Sequence, residues 1–169
     1  YNKVFIFKNL ANSLRLRMFH QVFPHAKFIE IKRNPLDTTF SMLKARKRLN
    51  IPSDKWWGII PPNYTDLEHL EEQEKIVKQI YYIEKQIHQD KKLFPEKNFL
   101  TVHYEDFCRD TLQEMQHIRD FVDPQLTVYE DFLPDIKNSK KKKEHFHFDW
   151  LMMEILMKLF ILISPQPHL

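Results

Sequence analysis

The sequence predicts an α/β layer fold in which a parallel sheet is flanked by helices. Two observations carry the prediction. Three short runs rich in β-branched and aromatic residues are bounded by polar or Pro-containing segments, and stretches with apolar residues near a 3.6 period lie between them. Strands that alternate with helices pair in parallel and place the helices on the sheet faces. With 169 residues, 43% hydrophobic and 29% charged, the chain can bury a core of its own. Residues 1–169 read as one domain.

The first strand is Val4-Phe5-Ile6-Phe7, and Leu14, Met18, Gln21 and Val22 continue a helix after it. The second strand is Phe28-Ile29-Glu30-Ile31. The following helix carries Phe40, Leu43 and Lys47, and its start is marked: Asn34 is an N-cap, Pro35 suits the first helical position, and Asp37 can complete the cap. The clearest helical pattern runs from Asp66 to about Lys92, with Leu70, Val77, Ile80, Ile83 and Ile87 in near-helical register. The third strand is Phe99-Leu100-Thr101-Val102-His103, followed by a helix near Leu112–Val122 with Met115, Ile118 and Phe121 on one side. The apolar run Leu151–Ile163 reads as a buried terminal helix, being too short and too charged (Glu154, Lys158) to span a bilayer.

Composition excludes several functions. Gly58 is the single glycine, where average usage gives about a dozen in this length. A Gly-rich phosphate loop or dinucleotide turn therefore has no place in these residues. Cys108 is the single cysteine, which excludes an intrachain disulfide and a cysteine-based zinc site. His145 and His147, on alternate positions, are the nearest approach to a metal cluster, and no metal is expected. The net charge is +3, but residues 1–50 hold eleven Lys and Arg against Glu30 and Asp37, while residues 51–130 hold nine basic and sixteen acidic residues. A local anion site fits that division better than a uniformly cationic nucleic-acid surface. No secretory signal or membrane span is evident, so the expectation is a soluble, cytoplasmic chain, although no residue names a compartment.

Ligands of open α/β sheets collect beyond the carboxyl ends of the strands. There the three strands deliver Lys8, then Arg33, then Tyr104-Glu105-Asp106. A helix start beside Arg33 offers N–H groups and a positive dipole end to a phosphate. Arg33 adds a forked donor, and Ser41, two turns in, a hydroxyl. The alternative is an ordinary strand-to-helix turn whose Arg33 pairs with Glu30 or Asp37. Glu105 and Asp106 suit hydrogen bonding to backbone or to Arg33 better than acid–base chemistry.

The run Phe23-Pro24-His25-Ala26-Lys27-Phe28-Ile29-Glu30-Ile31-Lys32-Arg33-Asn34-Pro35-Leu36-Asp37, with Ser41 eight residues after Arg33, resembles the 3′-phosphate-binding segment of sulfotransferases that use 3′-phosphoadenosine 5′-phosphosulfate (PAPS). Three more segments are similar to family elements: Lys8 to Arg15, to a Lys-x-Pro-x-Asn-x-x-Arg element of bacterial-type members; Trp56-Trp57-Gly58-Ile59-Ile60-Pro61-Pro62, to a Trp-Gly-x-x-Pro-Pro loop; and Phe99 to Phe107, to a strand ending in Tyr-Glu-Asp-Leu. The four lie in the family's order across about residues 3–122.

The resemblance implies a partial P-loop-like three-layer fold and a set of roles. Arg33 and Ser41 would hold the 3′-phosphate, Tyr104 would lie against the adenine, and Lys8 would stand near the oxygen bridging sulfate and phosphate and act in catalysis. Lys137 to Lys143 would be a further phosphate-gripping loop or a solvated charge run. The donor would be PAPS, and the acceptor a hydroxyl or amine on a carbohydrate, lipid, metabolite or protein. The family's Gly-rich loop around the 5′-phosphosulfate has no counterpart, so the chain reads as the carboxyl-terminal part of a sulfotransferase, truncated at its N-terminus and a poor catalyst alone. A family general-base His, two residues after the Lys, is replaced by Leu10, which leaves the base unnamed. Two alternatives stand beside the enzyme: an inactive sulfotransferase-like domain that binds a nucleotide or acidic glycan, and general polyanion binding by the basic block.

Overall fold

The computed structural model describes residues 4–129, 131 and 160–165, with the backbone course alone for residues 4, 5 and 160–165. The elements are β1 (Val4–Lys8), a 3-10 turn (Leu10–Leu14), α1 (Leu16–Val22), β2 (Lys27–Lys32), α2 (Pro35–Arg48), a 3-10 turn (Tyr64–Leu67), α3 (Glu72–Lys91), a 3-10 turn (Glu96–Asn98), β3 (Phe99–His103), α4 (Tyr104–Arg109), α5 (Thr111–Val122) and β4 (Phe160–Pro165). The sheet order is β1-β4-β2-β3. β2 pairs with β3 in parallel, and β4 lies antiparallel to both β1 and β2. The three strands expected from sequence therefore run in one direction, with β4 reversed among them.

Alternation along β2 divides the interior into two cores. Phe28 faces the larger one, with Leu16 and Phe19 of α1, Met42 of α2, and Ile76, Ile83 and Ile87 of α3. There Phe28 stacks on Phe99 at 4.8 Å and meets Phe94 edge-on at 4.9 Å. Burying a side chain of this kind contributes about 1.5–3 kcal/mol. Ile29 and Val102 face the other core, covered by Phe107 of α4 and Ile118, Phe121 and Val122 of α5. The result is helices, sheet, helices: three layers.

Several buried polar groups around the larger core are paired, as low-dielectric surroundings favour. Glu30, 2% exposed, receives Lys91 at 2.8 Å. Asp90 at the end of α3 takes Arg17 at 2.7 Å and Gln86 at 2.9 Å. The Gln79 amide donates to the carbonyls of Trp57 and Ile59 at 2.9 and 2.6 Å. Those carbonyls flank Gly58, whose φ of 81° lets the loop turn both toward one donor. That contact seats the Trp loop, and Trp57 packs against the larger core.

Four readings of the sequence are corrected. Residues 160–165 form β4 rather than the end of a helix, because an apolar run of this kind fits the slot between β1 and β2 as a strand; residues 151–159 of that reading lie outside the described residues, as do His145, His147 and the Lys137–Lys143 run. α2 turns Phe40 outward, 64% exposed, and buries Thr38, Met42, Ala45 and Arg46 instead. α1 likewise buries Leu16 and Phe19 and exposes Met18 and Val22. The Asp66–Lys92 helix begins later, at Glu72, after the Tyr64–Leu67 turn.

Candidate functional site

The carboxyl ends of β2 and β3 build the site. The parallel register pairs Ile31 with Val102 and Lys32 with His103. The next two positions on each chain, Arg33 with Tyr104 and Asn34 with Glu105, lie beyond the ladder but keep its order. The Arg33 guanidinium rests over the Tyr104 ring at 4.8 Å, a cation–π contact. The backbone N–H of Asn34 donates to Glu105 Oε1 at 3.0 Å. Ser41, two turns along α2, receives Arg33 Nη1 at 3.5 Å.

The helix start is largely used up. The Asn34 side chain accepts from Leu36 N–H at 2.9 Å, and Pro35 has no N–H to offer. The Asn34 carbonyl accepts from the Thr38 amide and hydroxyl, each at 3.0 Å. The N-cap amide goes to Glu105 across the sheet rather than to Asp37 within the helix. The helix N–H groups are therefore largely engaged, and the spare donor capacity at this edge lies with Arg33.

Arg33 is unlike the other buried-end cations. Its Nε is shielded from solvent and has no hydrogen-bond partner among the described residues. The two carboxylates nearest in sequence are not its partners: Glu30 is held by Lys91, and no ion pair joins Arg33 to Asp37. The guanidinium thus has a fixed plane, a fixed platform and donor capacity left over, which is what recognition of a phosphate or sulfate oxygen needs.

Tyr104 is 7% exposed. Burial drives its hydroxyl well above the ordinary tyrosine range, its hydrogen bond with Cys108 works the same way, and the Arg33 charge opposes both. The phenol is therefore neutral at physiological pH, a ring platform for Arg33 rather than a competing anion. Asp106 pairs with Arg109 at 2.7 Å, one helical turn away.

Arg33, Ser41 and Tyr104 are thus brought together, and Lys8 is not. The register pairs Lys8 with Ile161 and Ile161 with Ile29. Lys8 stands two strands from β2, about 10 Å across the sheet, and four residues, about 13 Å, short of Arg33 along it. All four residues face the same sheet edge, but in two groups.

A family model described as "Sulfotransferase family" matches residues 1–127, three quarters of the chain. The chain belongs to the sulfotransferase family. Two curated relatives are the omega-hydroxy-beta-dihydromenaquinone-9 sulfotransferases of Mycobacterium bovis and Mycobacterium tuberculosis, each 25% identical over 138 residues. The match covers 80% of this chain and 32% of each relative, so the chain spans about a third of the length of the curated relatives it matches. No solved structure matches it significantly. The α/β fold, with a parallel pair of strands flanked by helices, agrees with the family. Among the described residues no helix is long and apolar enough to cross a membrane, and no group of three or more His, Cys, Asp or Glu residues is placed to hold a metal ion.

Proposed function

We propose that this chain carries the donor-binding part of a sulfotransferase that moves a sulfuryl group from PAPS to an acceptor hydroxyl or amine. The observation that carries the reading is Arg33: a stacked, oriented guanidinium with a buried Nε that nothing in the described residues satisfies. Arg33 and Ser41 hold the 3′-phosphate, and Tyr104 offers what its packing against Arg33 leaves uncovered to the adenine side. When bound, PAPS supplies an activated sulfuryl group. Lys8 places an ammonium where negative charge gathers on the departing 5′-phosphate and stabilises it electrostatically. A donor with phosphate groups on both its 3′ and 5′ positions needs two separate cationic anchors, and the stagger of Lys8 and Arg33 is in keeping with that. The names of the two relatives describe a hydroxylated acceptor, which favours a hydroxyl for this chain as well. Donor and acceptor are both small molecules in this reading, with no nucleic acid involved, and residues 1–169 act as one domain.

A calorimetric titration tests the reading. The 169-residue chain is expected to bind 3′-phosphoadenosine 5′-phosphate at least tenfold more tightly than 5′-AMP. Equal affinity for the two would overturn it.

A further inference from the structure

The edge that holds Arg33 is held in turn by two consecutive residues of another element, and the second of them has no role in the reading above. We infer that Glu105 is a positioning residue for the 3′-phosphate site, acting through the Asn34 backbone. The inference rests on the donor-site reading and deepens it.

The geometry follows from sheet register. β2 and β3 pair in parallel up to Lys32 and His103. Past that point β3 turns directly into α4 at Tyr104, while β2 runs through Arg33 and Asn34 into α2. Ladder hydrogen bonds stop there, and side chains take over in the same order: Tyr104 beneath Arg33, Glu105 on Asn34 N–H at 3.0 Å. These contacts join residues 71 apart in sequence. Without the carboxylate the Asn34 backbone would be fastened on the α2 side alone, through its cap and the Thr38 bonds to its carbonyl, and the β3–α4 side would hold only the Arg33 side chain, through Tyr104. Glu105 closes the other side and fixes the backbone from which the guanidinium projects.

The chemistry of Glu105 makes this role separable from simple stability. It is exposed, so its removal leaves no cavity. It is an anion close to where another anion is to bind, so its charge opposes the ligand while its oxygen orders the site. The hydrogen bond accounts for an acid standing there despite that repulsion. The bond and the charge can be pulled apart, because glutamine keeps the accepting oxygen and loses the charge.

The experiment compares Glu105→Ala and Glu105→Gln with the parent chain, titrating each with 3′-phosphoadenosine 5′-phosphate and with 5′-AMP, and following amide hydrogen exchange at Asn34. Glu105→Ala is expected to weaken binding of the 3′-phosphorylated nucleotide about fivefold, to change 5′-AMP binding less than twofold, and to speed Asn34 exchange. Glu105→Gln is expected to keep Asn34 protected and to bind the 3′-phosphorylated nucleotide at least as tightly as the parent. An unchanged nucleotide preference in Glu105→Ala would overturn the inference, as would an equal loss in both variants. If the parent itself showed no preference, the donor-site reading would fall and take this role with it; Asn34 protection in the parent would then still report whether the hydrogen bond forms.

Discussion

Two arginines stand at the two ends of α2 and meet opposite fates. Arg46, in the last turn and 4% exposed, spends its guanidinium on the fold: Nε on Glu72 at 2.7 Å, Nη1 on the Lys55 carbonyl at 2.9 Å, Nη2 on the Pro52 carbonyl at 2.7 Å. Arg33, just before the first turn, makes one long contact to Ser41, stacks on Tyr104 and leaves Nε without an acceptor among the described residues. Residue type is shared and one helix separates them; saturation differs. A guanidinium whose donors are all matched is part of the structure, and one held rigid with donors to spare is part of a site. Burying a donor without a partner costs on the order of 1–3 kcal/mol, which a ligand that supplied the acceptor would recover.

The comparison can be broken most forcefully at Arg46. Arg46→Ala strands Glu72 and two loop carbonyls, and is expected to lower unfolding free energy by about 3 kcal/mol, read as a lower midpoint in urea. The same variant should keep whatever preference the chain has for a 3′-phosphate. A loss of preference at unchanged stability would reverse the roles assigned to the two arginines. A smaller effect belongs to the cap between them. Asn34→Ala removes the acceptor for Leu36 N–H and is expected to cost about 1 kcal/mol in the same unfolding experiment. A cost as large as that of Arg46→Ala would mean that the α2 start contributes more to the fold than to the site.

Much of this arrangement is legible in the chain. The runs at 4–7, 28–31 and 99–103 are short, rich in β-branched or aromatic residues, and cleanly bounded, so local signals define them to within a residue at either end. Asn34-Pro35 announces a helix start in two residues, and the stated cap forms. Seeing that Lys8, Arg33 and Tyr104 follow strands suffices to send them to one edge. What the chain does not display locally is what depends on partners distant in sequence. Residues 160–165 carry an apolar pattern compatible with a helix, and only the vacancy between β1 and β2 selects a strand. Phe40 looks like a core residue, yet α2 is rotated so that Met42, Ala45 and the fully engaged Arg46 face inward. The N-cap amide finds Glu105 across the sheet rather than Asp37 three positions on, because register, not proximity in sequence, brings that carboxylate near. The offset of Lys8 from Arg33 is likewise a property of the β1-β4-β2 register.

The central claim is that Arg33 is an unsaturated donor awaiting a 3′-phosphate, and thermal unfolding of the parent and Arg33→Ala with and without 3′-phosphoadenosine 5′-phosphate tests it most directly, with 5′-AMP as the control. At a hundred times Kd the ligand should add about 2.7 kcal/mol to the parent and raise its Tm, while 5′-AMP at the same concentration adds much less. Arg33→Ala should unfold close to the parent without ligand and lose the shift. A shift of equal size with 5′-AMP, or one that survives in Arg33→Ala, would contradict the account.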